Sequence, residues 1–468
     1  MARRDESERP TQSEGEANTS SRRAAWAART HDAATRALIE EDARHFLHQS
    51  VSSPCMNAVA RAEGAYLFDL QGRRYLDFHG NNVHHIGYGH PRLKAAIARQ
   101  MDELPFAPRR FTCEPAVALA RKLGEIAPGN LSKVLFTTGG SDAVEVALKL
   151  ARVATGRFKT ISFWDAFHGA GFGASSVGGE QLFRSHVAGP LLAGTEHVAP
   201  FACYRCPYGW PDDEGRPLLD QCRLACARMV RYVLEREGDV AAVIAEPARA
   251  VPYVPPPGFW AEVKAACAEH GALLIFDEIP TGLGKTGRMF ASEHDGVVPD
   301  ILVMGKALGG GILPIAAVIA REDLDVAGDF ALGHYTHEKN PVSARAALET
   351  IAIIEEEGLV ANAAKVGGHA LARLAEMKAR HRTIGDVRGR GLLIGIELVS
   401  DAAAKTPAND LAEETFYRAL DKGLSFKVTM GNVLTLTPPL VVTEAEMDFA
   451  LGVIETSLDE AEKVLGLG

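Results

Sequence analysis

The chain has 468 residues, of which 47% are hydrophobic and 24% charged, and its formal net charge is −10. This length predicts a globular protein of roughly two or three structural units. The acidic balance argues against nucleic acid or an anionic membrane surface as the main partner. No apolar segment is long enough to cross a bilayer and the start lacks the apolar stretch of a signal peptide, so a cytoplasmic protein is expected.

The first part of the chain, residues 1–44, is charged and rich in Ser, Thr, Ala and Glu. We expect a disordered tail that continues into a short helix. Residues 45–93 are assigned to the N-terminal part of a small domain. Within them, Tyr66–Asp69 and Arg74–Phe78 flank a glycine-containing turn, which predicts a hairpin.

Residues 94–343 alternate short apolar runs with helical patterns, and we assign them to a large domain. The runs that predict buried strands are Lys133–Phe136, Lys159–Phe163, Val240–Ala245, Ala272–Phe276 and Ile301–Met304. Such alternation indicates an α/β domain with a mostly parallel sheet covered on both faces. Residues 344–468 start with a long helix and are assigned to a small C-terminal α+β domain.

The chain has seven cysteines, and four of them are closely spaced. Cys203 and Cys206 form a C-x-x-C pair, whereas Cys222 and Cys226 are separated by three residues. The second spacing departs from that of common structural zinc sites, and reduced thiols are the favoured interpretation. Binding of a metal by this group stays an open alternative.

Asp277 and Lys306 are the strongest candidates for chemistry. Asp277 closes an apolar run, and Lys306 lies among glycines directly after the next run. A carboxylate at the carboxyl end of a strand lies where ligands bind in open α/β sheets. An acid that holds a protonated ring nitrogen and an amine that forms an imine are what a pyridoxal phosphate enzyme requires. The alternatives are an acid that caps a loop and a solvated surface lysine.

Three further segments add weaker signals. Gly140 is the second of two glycines that follow a strand, and Ser141 opens a predicted helix, which suits either a phosphate site or an ordinary helix cap. Phe167 could stack on a planar ring, although on its own it is better explained as a core residue. Glu246 closes another strand, and Ile279 points the same way as Asp277 and could cover a ring.

Together these segments resemble the class III aminotransferase family of fold type I pyridoxal phosphate enzymes, over roughly residues 60 to 455. The stretch 277–288 is similar to the family's ring-nitrogen signature, and Gly305-Lys306 is similar to its lysine signature. The resemblance implies a large domain with a seven-stranded, mostly parallel sheet, a smaller α+β domain, and pyridoxal 5'-phosphate as the cofactor.

The resemblance also assigns roles to residues. Lys306 and Asp277 are the catalytic pair, Gly140 and Ser141 hold the phosphate, and Thr336 reaches the phosphate of a neighbouring subunit. Active sites shared in this way imply a homodimer or a dimer of dimers. The residues assigned to the cofactor are Gly140, Ser141, Phe167, Glu246, Asp277, Ile279, Lys306 and Thr336.

Two departures from the family pattern bear on the substrate. Pro280 stands where most members carry a glutamine that bonds the cofactor's phenolic oxygen, and proline donates nothing. Arg249 also replaces a glutamine, and an arginine there could clamp an anion. Arg109 and Arg388 lie where some members contact substrate, although each is as readily a surface charge. A small anionic amine is therefore the expected substrate.

Within the family, the segments 77–85 and 335–341 most resemble a narrower group, the ammonia-lyases acting on (R)-1-hydroxy-2-aminoethylphosphonate. That resemblance implies an elimination that yields phosphonoacetaldehyde and ammonia, as part of phosphonate catabolism. One alternative is an ω-aminotransferase that passes the amino group of a small anionic amine to a 2-oxo acid. The other is an inactive regulatory paralogue that binds pyridoxal phosphate.

Overall fold

The computed structural model describes residues 19–49, 54–184, 189–210 and 218–467. It starts with two helices, α1 (Ser21–Thr30) and α2 (Ala33–His45). The sequence predicts one short helix in this part of the chain. The second helix begins after Asp32, whose side chain accepts a hydrogen bond from the Thr35 amide at 2.8 Å. The remainder of the predicted tail, residues 1–18, lies outside the described residues.

The next elements are three strands: β1 (Val59–Glu63), β2 (Tyr66–Asp69) and β3 (Arg74–Asp77). Strands β2 and β3 pair antiparallel, as the hairpin prediction requires. The Asp69 side chain closes the turn, because its Oδ1 accepts hydrogen bonds from the amides of Gln71 and Arg73 at 3.0 and 2.9 Å.

The large central sheet has seven strands: β4 (Leu131–Thr137), β5 (Lys159–Phe163), β6 (Thr195–Val198), β7 (Val240–Ala245), β8 (Leu273–Asp277), β9 (Ile301–Met304) and β10 (Ala316–Arg321). The helices in this part of the chain are α3 (Pro91–Glu103), α4 (Glu114–Ile126), α5 (Gly140–Thr155), α6 (Phe172–Val177), α7 (Gln181–Arg184), α8 (Leu218–Cys222), α9 (Ala225–Glu237), α10 (Phe259–His270) and α11 (Pro341–Glu356).

The strand order in the central sheet is β4-β10-β9-β8-β7-β5-β6. Strands β5 to β9 run parallel, and β10 is antiparallel to both of its neighbours. Every residue of β7, β8 and β9 is buried, as expected for apolar strands that carry helices on both faces. The predicted α/β fold with a mostly parallel, seven-stranded sheet is confirmed. Strands β6 and β10 are not among the predicted runs.

The C-terminal part contains three helices, α12 (Leu359–Arg380), α13 (Asn409–Asp421) and α14 (Glu444–Leu465). Its strands are β11 (Ile384–Arg390), β12 (Leu393–Asp401), β13 (Thr406–Pro407), β14 (Leu424–Ser425), β15 (Lys427–Thr429) and β16 (Val433–Leu436). Strands β11, β12, β16 and β15 form one sheet in that order, and β13 pairs with β12.

The N-terminal and C-terminal parts of the chain share one sheet, because β14 pairs in parallel with β3. Helix α1 also packs on the C-terminal part: the buried Trp26 donates from Nε1 to Asp421 Oδ1 at 2.9 Å. Helix α11 crosses the predicted boundary at residue 343 and packs against α3 and α4. The division into domains stays a prediction. In the described part of the chain, we find no helix with the length and apolar character of a membrane span.

Candidate active site

The candidate residues from three neighbouring strands lie at one edge of the central sheet. Glu246 directly follows β7, Asp277 ends β8, and Lys306 follows β9 after one intervening residue. These strands are parallel and adjacent, so their carboxyl ends share the same edge. Ligands bind at this edge in open α/β sheets, and the tertiary structure therefore brings the predicted acid and amine to the expected place.

Lys306 begins a short 3-10 turn, Lys306–Gly309, in a left-handed backbone conformation with φ of 44°. Residues other than glycine adopt this conformation rarely, and it costs about 1 kcal/mol or more, so the surrounding packing must hold it. Lys306 is half-buried and lines a cavity of about 350 Å³. Val83, Gly140 and Leu313 line the same cavity, so the amine faces a space bordered by three separate segments.

Asp277 is 2% exposed and its two carboxylate oxygens have different partners. Oδ1 accepts a hydrogen bond from the Ile279 amide at 3.0 Å, and Oδ2 lies 2.8 Å from Nδ1 of His168. The other ring nitrogen of His168, Nε2, is buried without a hydrogen-bond partner among the described residues. His168 is a functional candidate that the sequence analysis missed, since nothing in the local pattern places the loop after β5 beside the end of β8.

Gly140 and Ser141 open helix α5, which starts one residue earlier than predicted. Ser141 Oγ accepts a hydrogen bond from the Ala170 amide at 3.1 Å, which leaves its own proton free to be donated. Gly169, with φ of 126°, lies so close that a Cβ there would be 2.4 Å from Ser141 Oγ. The amides of a helix start and a serine hydroxyl thus form a cradle of the kind that binds phosphate.

Ile279 connects this cradle to the lysine. A Cβ added at Gly140 would lie 2.7 Å from Ile279 Cδ1, and one added at Gly305 would lie 3.7 Å from the same side chain. The isoleucine therefore borders both the helix start and the turn that carries Lys306. An apolar side chain in this position suits the face of a planar ring.

The site fits pyridoxal phosphate on four features of the structure. These are the phosphate cradle at α5, the apolar side chain of Ile279, the buried carboxylate of Asp277, and the amine of Lys306 on the cavity wall. Asp277 would hold the ring nitrogen, Gly140 and Ser141 the phosphate, and Lys306 the carbonyl carbon.

Phe167 and Glu246 lie close to this edge, but their contacts are with protein groups. The Phe167 ring is half-buried, and its centroid lies 4.6 Å from that of Phe183. Glu246 is buried and its Oε2 accepts a hydrogen bond from the Ala250 amide at 2.9 Å. Their assignment to the cofactor stays a prediction.

Arg249 is buried inside the protein. Its side chain is 2% exposed and donates to the carbonyl oxygen of Asp165. Its nitrogens lie 3.8 Å from Glu180 Oε1 and 3.7 Å from Glu246 Oε1. These two carboxylates balance the positive charge of Arg249, so that charge is not available to an anionic substrate.

Arg388 lies in a second polar cavity of about 290 Å³, whose lining shares no residue with that of the Lys306 cavity. Its Nη1 donates to Asp386 at 2.8 Å and to Glu397 at 2.7 Å, and its Nε donates to the Pro252 carbonyl oxygen. Burial opposes the charge, but Glu397 and Asp386 hold the pKa of Arg388 above its usual value. Arg388 and Arg249 both lie over the ring of Tyr253, and the assignment of Arg388 to the substrate stays a prediction.

Arg109 and Thr336 lie on neighbouring loops at the protein surface. The side chain of Arg109 is 39% exposed, and its Nη1 is 3.9 Å from Glu338 Oε2. The two loops also meet through Phe106 and His337, whose ring centroids are 5.4 Å apart. Thr336 is exposed in the single chain, which leaves its hydroxyl accessible to another subunit.

The cysteines carry no disulfide within the described residues. In this part of the chain, one group of three His, Cys, Asp or Glu residues has its potential ligand atoms within 4.8 Å of one another: His381, Asp459 and Glu462. The four closely spaced cysteines do not form such a group. Burial raises the pKa of the Cys226 thiol to about 12, so this thiol is poorly prepared to act as a thiolate ligand.

With the geometry described, comparison with known proteins decides the family. The class-III aminotransferase family model matches residues 48–458. The chain belongs to this family. It is 44% identical to the (R)-1-hydroxy-2-aminoethylphosphonate ammonia-lyase of Vibrio splendidus over 95% of each chain. It is 37% identical to a leucine/methionine racemase of Thermococcus litoralis, over 91% of this chain and 96% of the relative.

Solved structures agree with this membership. A Bacillus anthracis aminotransferase superposes with a TM-score of 0.84 at 32% identity, covering 91% of this chain and 98% of that one. An amine transaminase from an uncultivated Pseudomonas species, solved with pyridoxal phosphate bound, gives 0.82 at 33% identity over 89% and 99%. The predicted family and cofactor are confirmed: the protein is a class III enzyme that uses pyridoxal 5'-phosphate.

Proposed function

We propose that the enzyme is an ammonia-lyase that converts (R)-1-hydroxy-2-aminoethylphosphonate to phosphonoacetaldehyde and ammonia. The observation that carries the proposal is the 44% identity to a lyase of this name over 95% of both chains. The racemase relative matches at 37%. Pro280, which has no N–H to donate, follows the Asp277 strand end and adds support for chemistry other than ordinary transamination.

The residues at the edge of the sheet have distinct tasks in this reaction. When bound, pyridoxal phosphate withdraws electrons from the amine-bearing carbon of the substrate. Lys306 removes a proton from that carbon as a general base. Asp277, oriented by the 2.8 Å contact of its Oδ2 with His168, supplies the negative charge that keeps the ring nitrogen protonated.

The elimination is balanced without a second substrate. After the proton reaches Lys306, the β-hydroxyl leaves, and the protonated lysine can donate to it so that it departs as water. The released enamine takes up a water molecule and yields the aldehyde and ammonia. No 2-oxo acid is consumed.

Arg109 is the arginine that best suits the phosphonate. Its guanidinium is 39% exposed and its acidic neighbour Glu338 is 3.9 Å away, so the charge is available to an incoming anion. Arg249, by contrast, is 2% exposed and already lies between Glu180 and Glu246. Arg109 is therefore the arginine of the proposed substrate site, and Arg249 bonds the loop after β5 through the Asp165 carbonyl oxygen.

The deciding experiment supplies the hydroxy-aminophosphonate to the cofactor-loaded enzyme without any 2-oxo acid. Ammonia and phosphonoacetaldehyde should form in equal amounts over many turnovers. A panel of related amines, with carboxylate or phosphate in place of phosphonate, then ranks the anions. Turnover that starts only when pyruvate is added would exclude the lyase.

The second candidate is an ω-aminotransferase, which the structural neighbours favour because several of them are transaminases. It predicts the opposite result in the same experiment: a single half-reaction without acceptor and multiple turnovers with one.

For the assembly, we propose a homodimer, or a dimer of dimers, with active sites shared between subunits. Support comes from exposed apolar side chains near the Arg109 and Thr336 loops, namely Phe106, Phe111, Ile312 and Phe330. Light scattering on a size-exclusion column should give at least twice the 50.1 kDa of one chain. A monodisperse monomer with full activity would contradict the proposal.

A further inference from the structure

Lys285 is a fully buried lysine in the segment that follows the Asp277 strand end. It is 0% exposed. Its Nζ donates to the carbonyl oxygens of Pro438 at 2.5 Å and Thr437 at 3.3 Å. The Lys285 amine thus donates hydrogen bonds to two backbone carbonyl oxygens of a segment distant in sequence, and these bonds hold that segment in place.

The segment that Lys285 holds in turn supports residues 78–85, which we call the strap. The amide of Thr437 donates to the Phe78 carbonyl oxygen at 2.7 Å. The Thr437 hydroxyl lies 3.2 Å from the same oxygen and 3.3 Å from that of His79. At the other end of the strap, the Leu440 amide donates to the His85 carbonyl oxygen at 2.8 Å. Residues 437–440 therefore grip the strap at both ends.

The strap reaches the active site at its centre. Gly80, Asn81 and Asn82 all have positive φ, at 46°, 47° and 59°, and pack against the turn that starts at Lys306. Val83 lines the cavity of Lys306. Gly and Asn are the residues that adopt left-handed conformations most readily, so the local sequence permits this turn but does not by itself fix its place against Lys306. Its position therefore depends on the grip at its two ends.

The environment of Lys285 suits a neutral amine. Burial lowers the pKa of Lys285 to about 7, and the nearby carboxylate of Asp77 opposes this effect. A neutral amine has two N–H groups, which match the two carbonyl acceptors that the described residues provide. The neighbouring His84 and His85 are also buried, so the region contains several basic groups and little compensating charge.

We infer that Lys285 is a positioning residue for substrate recognition, which acts through Thr437 and Pro438 to hold the strap against Lys306. The lysine touches neither substrate nor cofactor. Its effect on substrate binding rests on the proposed function, whereas its effect on the strap does not. The strap contributes Val83 to the wall of the Lys306 cavity, so a looser strap should weaken substrate binding more than it slows the chemical step.

The test compares Lys285→Met, which keeps the length of the side chain and removes its donors, with Lys264→Met. Lys264 is the control, because it also makes a 2.7 Å contact, to Asp300, and it lies on helix α10, outside the strap and the segment 437–440. Hydrogen exchange of the amides of residues 78–85 is followed by mass spectrometry, with and without cofactor. In Lys285→Met the exchange should accelerate by about tenfold relative to the control, as expected from the loss of one or two net hydrogen bonds.

Kinetics provide the second readout, using whichever amine the enzyme turns over. Lys285→Met should raise KM by about tenfold and change kcat by less than about threefold, and Lys285→Arg, which restores donors, should recover most of the loss. Thr437→Val removes only the hydroxyl and should shift exchange and KM in the same direction by less. It also decides the question if Lys285→Met does not fold. Exchange of the strap equal to that of the control in the folded variants would overturn the inference, whichever reaction the enzyme catalyses.

Discussion

The sheet edge that carries Asp277 and Lys306 and the cavity of Arg388 both bring charged groups together, and they differ in how those groups are paired. At Lys306 the acid and the amine come from different strands, and His168 still has a ring nitrogen without a partner among the described residues. At Arg388 the guanidinium is bonded through Nη1 and Nε to Asp386, Glu397 and a backbone carbonyl, and its Nη2 is buried without a hydrogen-bond partner among the described residues. Each arrangement therefore keeps one nitrogen for a further hydrogen bond, and they differ in charge, because that of Arg388 is already balanced by two carboxylates of the protein.

The largest loss of turnover is expected from substitution of Lys306. Lys306→Ala should reduce turnover by at least about a thousandfold, because the base and the attachment point for the cofactor are both lost. The absorbance of the lysine-bound cofactor should disappear as well, as recorded by near-ultraviolet and visible spectroscopy. Retained activity and an unchanged spectrum would instead indicate a regulator that binds the cofactor without using it.

Asp277 should come next in size. Asp277→Asn keeps the shape and removes the charge, so kcat should fall by roughly a hundredfold to a thousandfold, since the ring nitrogen loses its counter-charge. Steady-state kinetics measure the loss, and circular dichroism establishes that the variant is folded. A variant with normal kcat would show that the carboxylate is only a loop cap.

His168 allows a finer comparison. His168→Phe fills the space and removes the 2.8 Å contact with Asp277, so kcat should fall by about tenfold. His168→Asn, whose amide can donate from nearly the position of Nδ1, should lose less. Equal losses in the two variants would mean that ring packing, not the hydrogen bond, is what matters.

Arg388 should behave in the opposite way. Arg388→Met removes the cation of Asp386 and one of the two cations of Glu397, which is 2% exposed and still pairs with Arg205, so the free energy of unfolding should fall by about 2 kcal/mol. KM for the amine should change by less than about twofold, since the network lies outside the Lys306 cavity. Denaturant melts and steady-state kinetics measure the two effects. A tenfold rise in KM at unchanged stability would restore Arg388 as a substrate residue.

The titration of Lys285 should have the smallest effect on turnover. It should change the free energy of unfolding instead. Its folded pKa is about 7, below the value of about 10.4 for an unfolded lysine. The unfolded state therefore binds more protons between these values, and stability should rise with pH across that window. Below pH of about 7, the cost of burying the charged amine lowers the stability of the natural chain fully. The free energy of unfolding of Lys285→Met should therefore exceed that of the natural chain most in this range. Asp77, His84 and His85 face the same region, and a flat difference between the melts would remove Lys285 as the titrating group.

Much of the fold and of the cofactor site could be predicted because the signals are local. Asp277 and Lys306 stand out because each ends or follows an apolar run, and strand ends are legible in a single sequence. The helix start at Gly140 carries its own glycines. These residues need only the rule that neighbouring parallel strands end at the same edge to be placed together.

The substrate arginines could not be resolved in this way. Arg109, Arg249 and Arg388 look alike as positive charges in the sequence, yet one is 39% exposed and another is 2% exposed. What separates them is the set of carboxylates around each side chain, and Glu180, which faces Arg249, comes from a segment far away in the sequence. No local pattern encodes that contact.

The sequence by itself determined the α/β architecture, the positions of the acid and the amine, and a resemblance specific enough to imply the cofactor. Only the tertiary structure paired His168 with Asp277, joined the two ends of the chain through β3 and β14, and connected Lys285 to the strap. The physical reason is range. Apolar periodicity and strand ends are written in consecutive residues, whereas a hydrogen bond between groups more than a hundred residues apart exists only once the chain has packed.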